Sequence, residues 1–186
     1  MSTIQQKLAN IKLVITDVDG VLTDGSLYYG ESSEGVEAFK IFNARDGLGT
    51  RMLLESGIQV AVLSGRDSKV LRRRIADLKI PLFALGKLEK ESACFALMQQ
   101  AGVQASEVLY IGDDSVDLPA FNVCGVTATV ADAADYIKSQ VDIVTKASGG
   151  KGAFREIVDM LLAAQGKEAI YTTAQGFLHS AKKMAQ

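Results

Sequence analysis

Two carboxylates follow a strongly apolar segment near the start of the chain. Residues 11–16, IKLVIT, are typical of a strand covered on both faces, and Asp17 and Asp19 come directly after them. Two like charges about 4 Å apart repel each other by about 4 kcal/mol at a partly buried site. Solvent, a proton, a basic partner or a metal ion can offset this repulsion, and other segments of the chain decide among these possibilities.

A second acidic segment, GDDSVD at 112–117, follows the strand-like residues EVLYI. Ligands of open parallel sheets bind beyond the carboxyl ends of the strands. If these two strands are neighbours, Asp17, Asp19 and Asp113 converge at one edge of the sheet. Oxygen-rich sites of this kind suit Mg²⁺, which completes its shell with water and substrate phosphate. Acidic residues beside glycine also form turns and helix caps, so neither segment is decisive alone.

Two further segments offer groups for an anion. Ser64 and Gly65 end a predicted strand, where backbone amides and the Ser64 hydroxyl can hold an anionic oxygen. Lys87 and Lys90 surround a predicted helix start, where the helix dipole favours anions over lysines. A lysine there is consistent with a bound anion, and a solvated surface charge is the alternative for each.

The elements that position these residues alternate between strand and helix. Repeated βα units predict an α/β fold, a Rossmann-like, doubly wound parallel sheet with helices on both faces. Asp46 is the expected N-cap of its helix, which Gly57 closes. The predicted strands are 11–16, 58–64, 81–85, 107–112, 126–130 and 141–145. The predicted helices are 46–56, 67–78, 87–100, a short helix after 115, 133–139 and 153–164.

Residues 26–42 interrupt this alternation. They have a polar, turn-prone centre between two strand-like arms, which predicts an inserted β-hairpin, with a decorated loop as the alternative. A projecting hairpin exposes an edge that must be covered or paired, and pairing with other copies of the chain is one solution. We expect one domain over 1–186, with a C-terminal tail at 167–186 whose apolar residues could dock between chains.

Composition excludes several classes of function. The chain has 186 residues, 48% hydrophobic, and a net charge of −2, which does not favour a nucleic acid partner. The N-terminal residues lack the apolar core of a signal peptide, and no apolar run approaches the ~20 residues of a membrane span. Cys94 and Cys124 are expected to be small buried hydrophobes in a reducing compartment. We therefore predict a cytoplasmic protein without membrane insertion.

The order strand-DxDG, strand-Ser-Gly, Lys, strand-GDDxxD resembles the haloacid dehalogenase superfamily of phosphohydrolases. The resemblance implies that Asp17 is the nucleophile and Asp19 the general acid and base. It also implies that Asp113, Asp17 and the backbone carbonyl of Asp19 hold Mg²⁺, with Asp114 and Asp117 supporting them. Since Asp19 must be protonated for the first step, we expect burial and negative neighbours to raise its pKa.

By the same resemblance, Ser64, Gly65 and Lys90 hold the phosphoryl oxygens. The segments DVDGVLTDG, ARDGLG, LSGRDS and GDDSVDLP further resemble the family of 3-deoxy-D-manno-octulosonate 8-phosphate (KDO 8-phosphate) phosphatases over nearly all of the chain. That family is capless and homotetrameric, and it acts in lipopolysaccharide biosynthesis. Its hairpins assemble together, and a neighbouring chain contributes to each active site.

A sugar acid phosphate with about three negative charges needs local cations in a net acidic protein. Arg74 lies beside the apolar stripe of its helix, and arginine pairs well with a carboxylate, so we favour Arg74 over Arg72 and Arg73. The other candidate cations are Arg45, Arg66 and Lys151. Lys151 lies in a glycine-rich segment that is a linker in one interpretation, whereas the resemblance implies that the C-terminal region can reach an adjacent active site. The resemblance adds the turn Asn43, Ala44, Arg45, Asp46 and Gly47, together with Asp19 and Lys90, as substrate contacts.

Three alternatives stay open from the sequence. One is a phosphatase for a related nine-carbon keto sugar acid phosphate, which differs mainly in the size of its pocket. The second is a phosphoaccepting receiver domain, although its phosphorylated aspartate follows a later strand. The third is a catalytically silent interaction protein. Phosphate release from a panel of sugar phosphates, with and without Mg²⁺, distinguishes all three from a KDO 8-phosphate phosphatase.

Overall fold

The computed structural model describes residues 3–30 and 37–184. Its strands are β1 (Leu13–Thr16), β2 (Tyr28–Tyr29), β3 (Glu37–Phe39), β4 (Gln59–Ser64), β5 (Leu82–Leu85), β6 (Val108–Ile111), β7 (Val126–Thr129) and β8 (Ile143–Val144). Its helices are α1 (Ile4–Ala9), α2 (Ala44–Glu55), α3 (Lys69–Asp77), α4 (Lys90–Ala101), α5 (Leu118–Phe121), α6 (Asp135–Lys138), α7 (Ala153–Ala164), α8 (Ala169–Thr172) and α9 (Ala174–Met184). The six strands predicted for the main sheet are all present.

Six parallel strands form one sheet in the order β5-β4-β1-β6-β7-β8. β1 lies at the centre, where Thr16 pairs with Val62 of β4 on one side and with Ile111 of β6 on the other. The chain therefore builds outwards in opposite directions from β1, which creates a crevice at the carboxyl ends of β1, β4 and β6. The predicted doubly wound fold is confirmed, and the two acidic segments follow neighbouring strands.

Apolar residues bury this sheet on both faces. All residues of β1, β6 and β7 are buried, as the near-continuous apolar runs predict. On α7, Phe154, Ile157, Val158 and Leu161 form a fully buried face, and this helix packs against α2. The loops that carry the polar residues are therefore fixed to a rigid core.

The start of α2 differs from the prediction. Asn43, not Asp46, is the N-cap, and its side chain accepts a hydrogen bond from the backbone amide of Arg45. The predicted cap was wrong because both residue types can cap a helix, and the Asp46 carboxylate has another partner deeper in the fold. Helix α1 was missed, although Thr3 and Gln6 form a capping box there.

The predicted tail contains two helices, α8 and α9. Ile170 and Tyr171 pack against the core of their own chain, and the Tyr171 hydroxyl donates to the backbone carbonyl of Asp159 on α7 at 2.9 Å. Phe177 and Leu178 are exposed, which leaves part of the tail's apolar surface available to another chain. Its docking between chains stays a prediction.

The inserted hairpin has the predicted arms. β2 and β3 pair antiparallel, with Tyr28 opposite Phe39 and their rings stacked at 4.4 Å between centroids. The predicted tip, residues 31–36, lies outside the described residues. Tyr29, Phe39 and Ile41 are each at least half exposed, so this hairpin presents an apolar surface.

None of the helices in the described part of the chain has both the length and the apolar character needed to cross a membrane. Cys94 is buried, Cys124 is partly buried, and both are free thiols.

Candidate active site

The crevice at the centre of the sheet contains most of the predicted catalytic groups. Asp17 follows β1 and is held by two hydrogen bonds: its amide donates to the Ile111 carbonyl at 2.9 Å, and its Oδ1 accepts from the Val18 amide at 2.7 Å. These contacts fix the carboxylate at the bottom of a cleft of about 450 Å³. The cleft is lined by Asp17, Asp19, Gly65, Arg66, Leu88, Lys90, Asp113, Asp114 and Val116.

Lys90 is the central cation of this cleft. It is the first residue of α4, its side chain is completely buried, and its Nζ lies 2.8 Å from Asp17 Oδ2 and 2.6 Å from Asp117 Oδ1. A buried ammonium persists when opposite charges compensate for its lost hydration. Lys90 therefore positions the Asp17 carboxylate and faces the same space.

Asp117 supports this arrangement from below. Its Oδ1 also accepts a hydrogen bond from the Tyr110 hydroxyl at 2.6 Å, and its Oδ2 accepts from the amides of Asp113 at 2.9 Å and Asp114 at 3.2 Å. Both oxygens are thus engaged within the protein. Asp117 therefore ties Lys90, Tyr110 and the backbone of 113–114 together, and its role in supporting the metal ligands stays a prediction. Tyr110 was missed in the sequence.

Ser64 and Gly65 lie at the end of β4, beside the Asp17 cleft. Ser64 is buried, and its hydroxyl oxygen accepts from the Arg66 amide at 3.1 Å. Gly65 lines the cleft directly, and a Cβ there would lie 2.9 Å from the Leu88 side chain. The strand end therefore brings the backbone close to the space where a phosphoryl group would bind.

Burial and mutual repulsion raise the pKa values of two acids in the cleft. Burial, followed by the Asp117 charge, raises the pKa of Asp17 to about 7, although Lys90 acts in the opposite direction. Burial, followed by the Asp17 charge, raises the pKa of Asp113 to about 8. Burial lowers the pKa of Lys90, but the two carboxylates outweigh it and hold that pKa above its ordinary value. One lysine does not balance the three acids.

This excess of negative charge fits a divalent cation. Carboxylate oxygens of Asp17, Asp113 and Asp117 lie within 4.8 Å of one another. Four donors hold the Asp117 oxygens and Asp117 does not line the cleft, whereas Asp17 and Asp113 do, so these two carboxylates are the ones placed to bind an ion. Gly20 permits the close approach: its φ is +90°, and a Cβ there would lie 2.0 Å from Asp113 Oδ2. A site with only one or two carboxylates and with room for water and phosphate suits Mg²⁺. The Asp19 carbonyl stays a predicted third ligand.

Asp19 lies at the rim of the cleft among cations. The Nζ of Lys40 contacts its Oδ1, and the Nε of Arg66 lies 3.7 Å from its Oδ2. The nearest charged partners are therefore positive, contrary to the negative neighbours that we expected. Lys40 was missed in the sequence. No periodic signal marks it as buried, because Ala38, two residues earlier on the same arm, is exposed.

Arg74 lies outside the Asp17 cleft in this chain. Its guanidinium packs over the Phe42 ring at 5.3 Å, and its Nη2 donates to the Asn43 carbonyl at 3.4 Å. A Cβ at Gly47 would lie 2.4 Å from the same Nη2, so the glycine makes room for the arginine. The structure thus brings Arg74 to the turn at 43–47 and not to the catalytic acids. Arg74 and this turn were both predicted to contact substrate.

The rest of that turn faces away from the cleft as well. Ala44 and Arg45 are exposed, and Arg45 lines a separate cavity of about 820 Å³ together with Lys146, Lys151 and Arg155. The Asn43 side chain donates to the Gly150 carbonyl at 3.3 Å, which joins the turn to the glycine-rich segment. Arg45 and Lys151 are therefore neighbours of each other and not of Asp17.

Asp46 is buried between α2 and α7. It is 3% exposed, its Oδ1 accepts from the Arg155 amide at 2.8 Å, and its Oδ2 has no hydrogen-bond partner among the residues that the structure describes. Burial is the main cause that raises the pKa of Asp46 to about 6. In this chain Asp46 therefore fixes the packing of two helices, and the structure does not bring it to the catalytic cleft.

We expect Asp46→Asn to change how stability depends on pH. Because the native pKa of about 6 exceeds the unfolded value of 3.8, the native state binds more protons between these values, and stability falls as pH rises through them. The neutral variant lacks this loss, so its free energy of unfolding should exceed that of the unmodified protein by about 1–3 kcal/mol near pH 7 and match it near pH 4. Urea denaturation across this range measures the difference.

Asp135→Asn is the matched control, because that carboxylate is fully exposed on α6. It should leave the pH dependence of unfolding unchanged. An Asp46→Asn protein whose stability follows the unmodified curve at both ends of the range would show that the buried carboxyl is not strained by its charge.

Comparisons with known proteins agree with this geometry. Residues 84–157 match the model of the haloacid dehalogenase-like hydrolase family. A 3-deoxy-D-manno-octulosonate 8-phosphate phosphatase KdsC of Haemophilus influenzae is 65% identical over 182 residues, which cover 98% of this chain and 99% of that protein. The cobalt-bound structure of the deoxy-D-mannose-octulosonate 8-phosphate phosphatase of the same species has a TM-score of 0.90 at 66% identity and covers 93% of this chain and 99% of that one.

A relative of lower identity has been solved with magnesium, phosphate and a sugar acid bound. The phosphatase of Moraxella catarrhalis, in complex with magnesium ion, phosphate ion and KDO, has a TM-score of 0.86 at 35% identity, covering 96% of this chain and 97% of that one. These similarities extend over nearly the whole chain and confirm the resemblance drawn from the motifs. The chain belongs to the family of 3-deoxy-D-manno-octulosonate 8-phosphate phosphatases within the haloacid dehalogenase superfamily.

Proposed function

We propose that this protein hydrolyses KDO 8-phosphate to the free sugar acid and phosphate, with Mg²⁺ as cofactor, in lipopolysaccharide biosynthesis. One observation carries the proposal: Asp17 contacts a buried lysine and shares its cleft with a second carboxylate, Asp113, in a chain with 65% identity to such a phosphatase. The free thiols of Cys94 and Cys124 support a cytoplasmic location, since structural disulfides are typical of oxidising compartments.

In the first step, a carboxylate oxygen of Asp17 forms a bond to phosphorus while the ester P–O bond breaks. The leaving alkoxide takes the proton of the Asp19 carboxyl group. This covalent route divides one difficult displacement into two easier ones. Lys90 faces Asp17 and stabilises negative charge on the phosphoryl oxygens, which is the main requirement of phosphoryl transfer.

In the second step, water attacks the phosphorus of the aspartyl phosphate. The Asp19 carboxylate takes a proton from that water, the acyl phosphate bond breaks, and the Asp17 carboxylate and inorganic phosphate are released. Asp19 is then protonated again for the next substrate. When bound at Asp17 and Asp113, Mg²⁺ supplies positive charge that lowers the repulsion between carboxylates and phosphate.

The carboxylate end of the substrate needs cations beyond Lys90. Arg66 lies at the rim of the Asp17 cleft with its side chain half exposed, so it is the cation of this chain that is best placed to pair with that carboxylate. Arg45, Arg74 and Lys151 lie elsewhere on the same chain. We propose a homotetramer, in which a neighbouring copy of the chain can bring these residues to the cleft.

We expect the hairpin surface, defined as Tyr29, Phe39 and Ile41, to mediate this assembly. Replacing Tyr29 and Ile41 together by lysine adds like charges to the apolar surface, and the protein should then sediment as a smaller species with native circular dichroism. Phe95→Lys is the matched control, since Phe95 is also half exposed but lies on α4. An unchanged oligomer in the double variant would contradict the assignment of the hairpin as the contact.

A substrate panel tests the proposed activity. Phosphate release from KDO 8-phosphate, a nine-carbon keto sugar acid phosphate and glucose 6-phosphate is measured with Mg²⁺ and with a chelator. We expect KDO 8-phosphate to have the highest kcat/KM, and chelation to abolish turnover until Mg²⁺ is restored. Preference for the nine-carbon compound would reassign the substrate. Turnover in the chelator would contradict the proposal that Asp17 and Asp113 bind an essential Mg²⁺.

A further inference from the structure

Lys40 is a buried lysine at the mouth of the catalytic cleft. It follows β3, the return strand of the hairpin, and only 1% of its side chain is exposed. Its Nζ contacts Asp19 Oδ1 and lies 2.8 Å from Glu37 Oε1. Removing an ammonium from water is costly unless opposite charges compensate for it. These two carboxylates supply that compensation, so the position of Lys40 is closely constrained.

The contact with Lys40 distinguishes the two oxygens of Asp19. Oδ1 accepts from Lys40, whereas Oδ2 points towards Arg66, whose side chain is half exposed at the cleft. Oδ1 can accept this hydrogen bond whether Asp19 is ionised or carries a proton on Oδ2. The contact therefore leaves Oδ2 as the oxygen that gives and takes the proton.

We propose that Lys40 is a positioning residue that holds Asp19 with Oδ2 directed at the reacting oxygen, and that Glu37 fixes Lys40 from the other side. The proposal rests on the proposed function, in which Asp19 is the general acid and base. Glu37 begins the return strand of the hairpin and Lys40 directly follows it, so this insertion shapes the proton-transfer group directly. A carboxyl displaced by about 1 Å loses about 10²-fold in rate.

A purely structural tie between hairpin and core would give the same contacts, and the nature of the leaving group separates the two roles. A sugar alkoxide needs a proton as it departs, whereas p-nitrophenolate leaves without one. Loss of Asp19 positioning therefore slows the first step with the sugar phosphate but not with p-nitrophenyl phosphate. General loosening of the fold slows the first step with both substrates.

The test compares the unmodified protein with Lys40→Met and Lys40→Gln, each with Mg²⁺. Lys40→Gln keeps an N–H donor and serves as the milder variant should Lys40→Met fold poorly. Lys12→Met is the matched control. Lys12 precedes β1 and pairs with Glu107 at the amino end of that strand, whereas Asp19 follows the carboxyl end. Rapid-quench kinetics record the first turnover, and steady-state assays record kcat and KM.

With KDO 8-phosphate, we expect kcat of Lys40→Met to fall by about 10- to 100-fold while KM changes less than about threefold, with Lys40→Gln intermediate. With p-nitrophenyl phosphate, the first-turnover burst of p-nitrophenolate should stay within about threefold of the unmodified protein, followed by slow turnover because water activation also needs Asp19. Lys12→Met should match the unmodified protein throughout.

Equal losses of the first turnover with both substrates, or native kinetics in both Lys40 variants, would overturn the proposal. Failure of the proposed substrate is recognised separately. In that case the unmodified protein hydrolyses p-nitrophenyl phosphate but not KDO 8-phosphate, and the comparison proceeds with the best alkyl phosphate of the panel. An unmodified protein that hydrolyses no phosphate ester would overturn both proposals, because there would be no proton transfer to position.

Discussion

We expect Asp17→Asn to abolish phosphate release while the fold persists. The amide cannot form the aspartyl phosphate, so turnover should fall by at least about 10⁴-fold, as expected for loss of a nucleophile. The fold should persist because asparagine has the same shape, and its carbonyl oxygen can still accept from the Val18 amide. It also removes one of the mutually repelling carboxylates that raise the pKa of Asp113.

Two measurements on this variant are needed. Phosphate release is measured with KDO 8-phosphate and Mg²⁺, and urea denaturation is measured without metal at pH 7. The free energy of unfolding should not fall by more than about 1 kcal/mol, because the variant removes a carboxyl whose pKa is raised to about 7 in the native state. Asp77→Asn is the control, since Asp77 pairs with Arg73 on the exposed face of α3. A folded Asp17→Asn protein that keeps a tenth or more of the activity would exclude Asp17 as the nucleophile.

Lys90→Met should cost both stability and activity. It leaves the carboxylates of Asp17 and Asp117 buried without the ammonium that now contacts both, and breaking a buried ion pair in this way costs about 3–5 kcal/mol. Activity should fall with it by about 10³-fold or more, because Lys90 is also the cation that faces the phosphoryl group.

The deficit of Lys90→Met should depend on pH in a defined direction. The pKa of Asp17 is already raised to about 7, and loss of Lys90 removes the neighbour that lowers it, so the native state binds protons more readily still. For a carboxyl group with a raised native pKa, stability falls as pH rises through that pKa. The variant should therefore lose most stability above about pH 7 and recover part of it below, as measured by urea denaturation.

Lys87→Met provides the comparison, since Lys87 is exposed three residues before Lys90. Its free energy of unfolding should change by less than about 0.5 kcal/mol. If Lys90→Met were as stable as Lys87→Met at all pH values, the central role of the lysine in the acid cluster would be wrong.

The sequence predicts the core of the candidate site because strand order decides it. Asp17 and Asp113 follow two strands whose apolar character is unmistakable, and the carboxyl ends of neighbouring parallel strands meet at one edge. Lys90 opens a helix that begins at the same edge, so its proximity to Asp17 follows from the same topology. Residues tied to the sheet in this way are predictable from short segments.

Residues that are not attached directly to the carboxyl edge of the sheet were harder to predict. Lys40 arrives from the inserted hairpin, whose seating on the core has no periodic signal in the sequence. Arg74 was placed near the substrate by its position on a helix face, yet stacking on Phe42 and the Asn43 carbonyl hold it at the neighbouring turn. Helical periodicity gives the face of a side chain, but the partner that holds it depends on tertiary packing.

Asp46 shows the same limit for a motif. The resemblance assigns the turn at 43–47 to substrate contact, whereas in this chain Asp46 accepts from the Arg155 amide and is almost completely buried. Both Asn43 and Asp46 are good helix caps, and local propensity does not separate them. The packing of α7 against α2 decides which residue is the cap, because the Asp46 carboxylate accepts from the Arg155 amide of α7. Arg155 lies more than a hundred residues further along the chain.

Covalent trapping tests most directly whether Asp17 is the nucleophile. The protein is mixed with KDO 8-phosphate and Mg²⁺, quenched in acid within the first turnover, and digested for mass spectrometry. We expect a phosphoryl group on the peptide that contains Asp17, attached to that carboxylate and absent from Asp17→Asn. Full turnover without any phosphorylated peptide, or a phosphoryl group on a different residue, would contradict it.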